Sequence, residues 1–229
     1  MDSTNRLLAE RPESPEGTTI VAEIQTAGRG RLGRSWESPR GSGVWMSVLV
    51  HPADRPRASW AWLPLLTALA VRDALVEACR LTCGLKWPND LVSADAEVRK
   101  LGGILVEVVG ADAVVLGIGV NMSLTGAELP TPAATSVLIE GGVPDREAFV
   151  VAVQAALARR LASWRAGELP LDDYRAACVT IGRQVSVHLP DGSEIVGLAE
   201  GIADDGRLMV RQGENTIIVA AGDVIHATI

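Results

Sequence analysis

The chain has 229 residues, 48% of them hydrophobic and 21% charged, with a formal net charge of −7. That composition is globular and rules out a disordered chain, and the length suits one well-filled core with a small appendage. Every apolar run meets a charge, a Gly or a Pro before ~18 residues, which excludes a transmembrane span, and MDSTNRLLAERPESPEG lacks the basic and apolar regions of a secretory signal, so the cytoplasm is expected.

In chain order, Ser3, Thr4 and Asn5 are placed to cap a helix that starts at Arg6. TTIVAEI (18–24) reads as a strand running into the arginine-rich stretch QTAGRGRLGRSW (25–36), and after the turn-rich ESPRGSG a second strand, GVWMSVLVH, covers 43–51. Ser59 is the expected cap of a long helix from Trp60 to Cys79. GLKWP, NDLV, LGGILVEVVG and AVVLGIGVN are short β-rich runs separated by turns, a meander of hairpins in one sheet. Helical spacing returns from Asp145 to Arg165 and in LDDYRAAC.

Strands followed by flanking helices, without βαβ alternation, predict an α+β fold: a mixed central sheet with helices over residues 1–177. The tail, RQVSVHLP, SEIVGLAEGI, RLMVRQ, TIIVAA and GDVIHATI joined by Asp-Gly and Gly-Glu-Asn turns, predicts a small antiparallel barrel over 178–229. Cys79, Cys83, Cys178, His51, His188 and His226 form neither a zinc spacing nor a disulfide framework and read as structural.

Of the 21 Lys and Arg residues only Lys86 and Lys100 are lysines, and both fall in short motifs, KWPND and KLGGIL. Where charge alone matters Arg would do; a retained Lys suggests a need for a compact, rotatable ammonium. GRGRLGR lets backbone N–H groups and guanidinium forks converge on an anion, with Trp36 closing over an apolar part of the ligand; the other reading is a solvated basic turn. KWPND sets Lys86 and Asp90 on either side of a Trp-Pro turn, a cation for phosphate and a carboxylate for Mg²⁺, or an ordinary hairpin turn. The paired glycines after Lys100 permit close approach of a ligand or mark a bulge beside an edge lysine. Trp60, Trp62 and Trp164 lie in helical patterns and read as core.

Taken in order, DSTN, QTAGRGRLGRSW, KWPND, KLGGIL, GVN and ATSV, followed by the tail opened by GRQVSV, resemble the biotin protein ligases (biotin–[acetyl-CoA-carboxylase] ligases) over nearly the whole chain. The resemblance implies their catalytic fold with an SH3-like C-terminal barrel, and a two-step reaction: biotin and ATP give biotinyl-5′-AMP and pyrophosphate, then a lysine of a biotin carboxyl carrier protein takes the biotin. It implies biotin contacts from Ser3, Thr4, Asn5, Gln25, Gly28, Arg29, Arg31, Lys100 and Gly103. ATP or adenylate contacts are implied for Arg29, Arg31, Arg34, Trp36, Lys86, Asn89, Lys100, Asn121 and Arg183, with Asn121 near the adenine. Asp90 is the expected Mg²⁺ ligand, and Lys100 and Arg31 the catalytic residues.

The family carries a strand and lead-in before its Asp-Ser-Thr-Asn, whereas Met1 stands directly before it here, so an edge of the biotin-side sheet is expected to be missing. With no helix-turn-helix ahead of the motif, a monofunctional ligase is expected, a monomer or weak homodimer with no nucleic-acid or membrane partner. Two other readings compete: a lipoate ligase on the same fold, against which GRGRLGRSW and KWPND argue by resemblance, and a non-enzymatic nucleic-acid module using the arginine loop, against which the acidic chain argues.

Overall fold

The computed structural model describes residues 1–36 and 39–226, apart from the side chain of Leu32; two residues of the expected 37–43 turn and the last three of the expected GDVIHATI strand lie outside the described residues. The first sheet has six strands in the order β1-β2-β6-β5-β4-β3: β1 Thr19–Ala22, β2 Gly43–Val50, β3 Gly84–Lys86, β4 Asp90–Val92, β5 Lys100–Val109 and β6 Ala113–Asn121. β3 to β6 are sequential neighbours, the expected meander. Among the described residues all its ladders are antiparallel, and parallel pairing enters only through isolated bridges, Leu85 with Cys178 and Lys100 with Ala134.

Every residue of β2 is buried, because the sheet is covered on both faces. On one face α2 (Leu63–Cys79) packs against the sheet and against α3 (Arg146–Arg165); on the other α1 (Thr4–Ala9) lies across β2 and β6. Ser3 caps α1 as expected, accepting from the Arg6 N–H at 3.5 Å, but the helix starts at Thr4, two residues before the expected Arg6. Ser59 does not cap α2. Its hydroxyl donates to Pro56 O inside a 3₁₀ turn over Arg57–Trp62, and α2 begins after that turn at Leu63 with Pro64 in its first turn, where the missing N–H costs nothing. Asp145 caps α3 by accepting from the Ala148 N–H at 3.0 Å. The short α4 is Leu171–Ala177. Trp60, Trp62 and Trp164 are buried, as their spacing predicts.

The tail forms a second, five-stranded antiparallel sheet in the order β10-β9-β8-β7-β11, from β7 Gln184–His188, β8 Glu194–Ile202, β9 Leu208–Gln212, β10 Asn215–Val219 and β11 Asp223–His226. Among the described residues β10 and β11 are edges that do not pair with each other, so over these residues the expected barrel is open, not closed. Its inward residues, Val185, Val187, Ala199, Ile202, Leu208 and Val210, belong to the same buried apolar cluster as β2, α2 and α3. Two indoles fasten the junction: Trp62 Nε1 donates to Asp204 O at 2.9 Å and Trp87 Nε1 to Gly206 O at 3.0 Å. No helix among the described residues is long and apolar enough to cross a membrane.

Thr180 Oγ1 accepts from the Trp87 N–H at 3.1 Å and lies 3.3 Å from His226 Nε2, an arrangement satisfied when the hydroxyl donates to an unprotonated ring nitrogen. Burial, then the nearby Lys86 and Arg183, push His226 down to about 4. The unfolded chain, with His near 6.5, therefore binds more protons between about pH 4 and 6.5, and the folded state loses stability as pH falls through that window. Thermal melts from pH 7 to 4.5 should show this loss, with a shallower pH slope in His226→Gln; parallel slopes would remove His226 as the cause. Trp87→Phe strands the Gly206 carbonyl and should cost about 1–3 kcal/mol, read as a Tm lower by roughly 3–10 °C.

Candidate functional site

On the α1 face of the first sheet lies a cavity of about 840 Å³ including its open mouth. Its floor is cleared by glycines on β5 and β6. A Cβ on Gly103 or Gly119 would stand 3.3 Å from the Trp36 ring, and one on Gly117 would stand 2.2 Å from Asn5 Oδ1, closer than atoms can approach. Trp36 rests on this floor, edge-on to Trp45 with ring centroids 5.9 Å apart. Its Nε1 is buried and donates to no group among the described residues.

One end of the cavity is polar and neutral. Thr4 donates to Gln25 Oε1 from both its N–H, at 2.8 Å, and its Oγ1, at 3.1 Å, so a single carbonyl oxygen ties the start of α1 to the loop. Ser47 Oγ lies 2.7 Å from Thr4 Oγ1 and 2.6 Å from Asn5 Oδ1. Asn5 Nδ2 donates to Leu105 O at 3.2 Å and to Glu107 Oε2 at 2.8 Å. Both its donors are thereby engaged within the protein, and Asn5 shapes the wall, whereas the Ser3 hydroxyl proton and the Gln25 amide N–H groups remain for a ligand.

The opposite end is cationic, and the arginine stretch folds across it as a small hairpin. Arg29 bridges Ser35, Gly30 N–H donates to Arg34 O at 2.7 Å, Trp36 N–H donates to Gly28 O at 2.9 Å, and a 3₁₀ turn spans Arg31–Gly33. Gly28 is obligatory beneath Trp36, since a Cβ there would sit 2.2 Å from the Trp36 carbonyl oxygen. Each arginine has its own tether. Arg29 pairs with Glu107 at 3.1 Å; Arg31 donates to Asn89 Oδ1 at 3.1 Å and Gly222 O at 3.3 Å; Arg34 pairs with Asp223. Burial lowers the Arg31 guanidinium, with Asp90 and Asp223 opposing, and it stays protonated as arginines do. Burial raises the Asp223 carboxyl, but the hydrogen bond and charge of Arg34, with Lys86 and Arg31, outweigh it and hold Asp223 below the ordinary carboxylate value.

Lys100 Nζ lies 2.7 Å from Asp90 Oδ1 and 5.2 Å from the centre of the Trp36 ring. That carboxylate oxygen is buried, and the Lys100 ammonium is its partner. The Lys100 backbone is held on both sides by the ATSV segment: its N–H donates to Ala133 O at 2.7 Å and its carbonyl accepts from the Thr135 N–H at 2.8 Å. Asn89 joins β4 to β5, Nδ2 donating to Ile104 O at 2.8 Å, while its Oδ1 receives Arg31.

The structure thus brings Ser3, Thr4, Asn5, Gln25, Arg29, Arg31, Arg34, Trp36, Asn89, Asp90, Lys100 and Gly103 to one cavity wall. Gly28, Lys86, Asn121 and Arg183 do not line it. Lys86 is paired in register with Asp90, and burial lowers its ammonium despite Asp90 and Asp223 nearby. Asn121 is buried and its Nδ2 donates to Thr135 O at 2.9 Å, so it braces the segment that holds Lys100. Arg183 stands near His226 at the junction of the sheets. Ser47, Trp45, Glu107, Gly117, Gly119 and Asp223 build the site without having stood out in the sequence. Ser47, Trp45 and Glu107 look there like ordinary strand residues, and Asp223 lies almost two hundred residues beyond its partner.

Two family models match the chain in order: the Biotin/lipoate A/B protein ligase family over residues 1–121 and the Biotin protein ligase C terminal domain over 180–227. The chain is 42% identical to the biotin–[acetyl-CoA-carboxylase] ligase of Mycobacterium tuberculosis, over 98% of this chain and 85% of that one. It is 32% identical to the bifunctional ligase/repressor BirA of Bacillus subtilis over 92% of its own length, spanning 66% of that relative. The fold superposes on the biotin protein ligase of Aquifex aeolicus in complex with biotin and ATP with a TM-score of 0.85 and 28% identity, covering 99% of this chain and 95% of the other. With two models matched in sequence order and relatives of this identity along nearly its full length, the chain belongs to the biotin/lipoate A/B protein ligase family and, within it, to the biotin protein ligases.

Proposed function

We propose that the protein activates biotin with ATP to biotinyl-5′-AMP and pyrophosphate, then transfers the biotin to a lysine of a biotin carboxyl carrier protein. The observation that carries this reading is the polarity of one cavity: neutral hydrogen-bonding groups at Ser3, Thr4 and Gln25, and Arg29, Arg31, Arg34 and Lys100 at the other end. Biotin has the same polarity, a neutral ureido ring and a carboxylate. A lipoyl ring offers nothing to pair with the Ser3 hydroxyl and the Gln25 amide, and buried polar groups left unpaired discriminate strongly against such a ligand.

In the first step a biotin carboxylate oxygen attacks the α-phosphorus of ATP, and the bond from that phosphorus to pyrophosphate breaks. Two anions must approach each other, and Lys100 offsets their repulsion with a point charge that rotates to follow the negative charge as it develops. Arg31 and Arg34 hold phosphate oxygens, and the buried Trp36 Nε1, without a hydrogen-bond partner among the described residues, supplies a further donor. Asp90 suits Mg²⁺: its carboxylate stands on the cavity wall at the cationic end, shared with Lys100, and this ion takes one or two protein carboxylates with phosphate and water completing its shell. Mg²⁺ there would neutralise phosphate charge. In the second step the carrier lysine, as free amine, attacks the acyl carbon, the acyl C–O bond breaks, AMP leaves and the ammonium proton passes to solvent. The folded arginine hairpin keeps water from the mixed anhydride between the two steps.

Pyrophosphate release from ATP and Mg²⁺ should depend on biotin and fail with lipoate. Lys100→Ala should lower that release by roughly 10²–10³-fold while biotin binding persists. Release driven by lipoate, or an unchanged rate in Lys100→Ala, would overturn the substrate or the role of Lys100 respectively.

A further inference from the structure

Ser47 lies in the middle of β2, fully buried and opposite Gly117 of β6, one layer behind the side chains that line the cavity. Its hydroxyl stands between two oxygens, Thr4 Oγ1 at 2.7 Å and Asn5 Oδ1 at 2.6 Å, with one proton to give. Asn5 decides where that proton goes. Its amide nitrogen faces two acceptors, Leu105 O at 3.2 Å and Glu107 Oε2 at 2.8 Å, so the amide cannot be turned over, and its oxygen fills the space above Gly117 beside Ser47. A carbonyl oxygen only accepts, so the 2.6 Å contact carries the Ser47 proton. The 2.7 Å contact then needs the proton of Thr4, since two oxygens this close with no proton between them repel. The Thr4 hydroxyl has a second oxygen within reach, Gln25 Oε1, but at 3.1 Å, and that oxygen already receives the Thr4 N–H. The groups that set this order sit on α1, β2 and β5.

We propose that Ser47 is a specificity-determining residue: in the ligand complex it takes the Thr4 proton and so turns the Thr4 hydroxyl into an acceptor toward the cavity, the group that receives a ureido N–H. The inference rests on reading this cavity as the biotin pocket, and adds which wall atom reads a ring nitrogen and what fixes its polarity. A cyclic urea has one carbonyl oxygen and two N–H groups. The neutral end offers it donors at Ser3 and Gln25 and, through Ser47, an acceptor at Thr4. A ring with oxygen in place of that N–H sets lone pairs against lone pairs. A threonine with a free proton would turn and donate to such an oxygen; here it does so only by giving up its bond to Ser47.

Calorimetry on the parent and on Ser47→Ala, with biotin and with the two cyclic carbamate analogues in which oxygen replaces one or the other ureido N–H, forms a cycle between residue and ligand. For one of the two analogues the parent should bind biotin roughly 10–100-fold more tightly, and in S47A that ratio should fall by a factor of about three or more. A loosened wall or a shifted α1 would weaken all three ligands together and leave the ratio where it was, so the ratio separates hydroxyl polarity from packing. Ser47→Cys keeps a side chain of similar volume with a much weaker acceptor; it should lower the ratio in the same direction, and it carries the test should S47A not fold. Ratios equal to the parent's for both analogues in the folded variants would overturn the proposal, as would a parent that binds both analogues as tightly as biotin. A parent that binds no biotin removes the pocket reading itself, an outcome distinct from either.

Discussion

Holding several like charges against one another at the mouth of a partly desolvated cavity is the constraint around which this protein is organised. Arg29, Arg31, Arg34 and Lys100 converge there in a chain that is acidic overall, with Lys86 just behind them. Left alone, such a cluster would repel itself and the loop would stay open. Each cation is instead given a separate partner, Glu107, Asn89 with Gly222, Asp223 and Asp90, drawn from β4, β5 and the start of β11. The tethers leave a net positive end, which only an anionic ligand completes.

The tethers explain why the second sheet belongs to the site. Gly222 and Asp223 reach the loop, and the indoles of Trp62 and Trp87 donate to the turn between β8 and β9, while one apolar cluster runs through both sheets. Displacing the tail would take away the partner of Arg34 and part of the support of Arg31. The cavity also depends on what is missing: Gly103, Gly117 and Gly119 remove side chains from the sheet so that Trp36 and Asn5 can lie against its backbone. A methyl group at any of these three positions would compete with the site for space, most severely at Gly117.

Much of the fold could be read from periodicity, because α3 and the strands β2, β5 and β6 each present a long, regular apolar pattern bounded by turn residues. Boundaries failed where a local choice was close. Ser59 has the chemistry of a cap, but its hydroxyl donates to Pro56 O and a 3₁₀ turn precedes α2. Ser3 and Thr4 begin α1 earlier than expected because Gln25 satisfies the Thr4 N–H from across the loop. The antiparallel tail was legible as strands and turns, but the pairing of β7 with β11 left β10 a free edge, which strand pattern alone does not decide.

By itself the sequence determined that a glycine-rich arginine loop, two isolated lysines and a run of small polar residues stand in the order of the biotin protein ligases, because motif order and residue type are properties of the chain. Which of those residues face one cavity was decided by the tertiary structure. Asn121 turned to brace the segment around Thr135 that holds Lys100, and both Asn5 donors went to Leu105 and Glu107. Glu107 and Asp223, ordinary acids in the sequence, became the counter-charges of the loop. The physical reason is that charge compensation and close packing act between residues far apart in the chain, so a partner's identity depends on strand register and sheet contact, which no local pattern encodes.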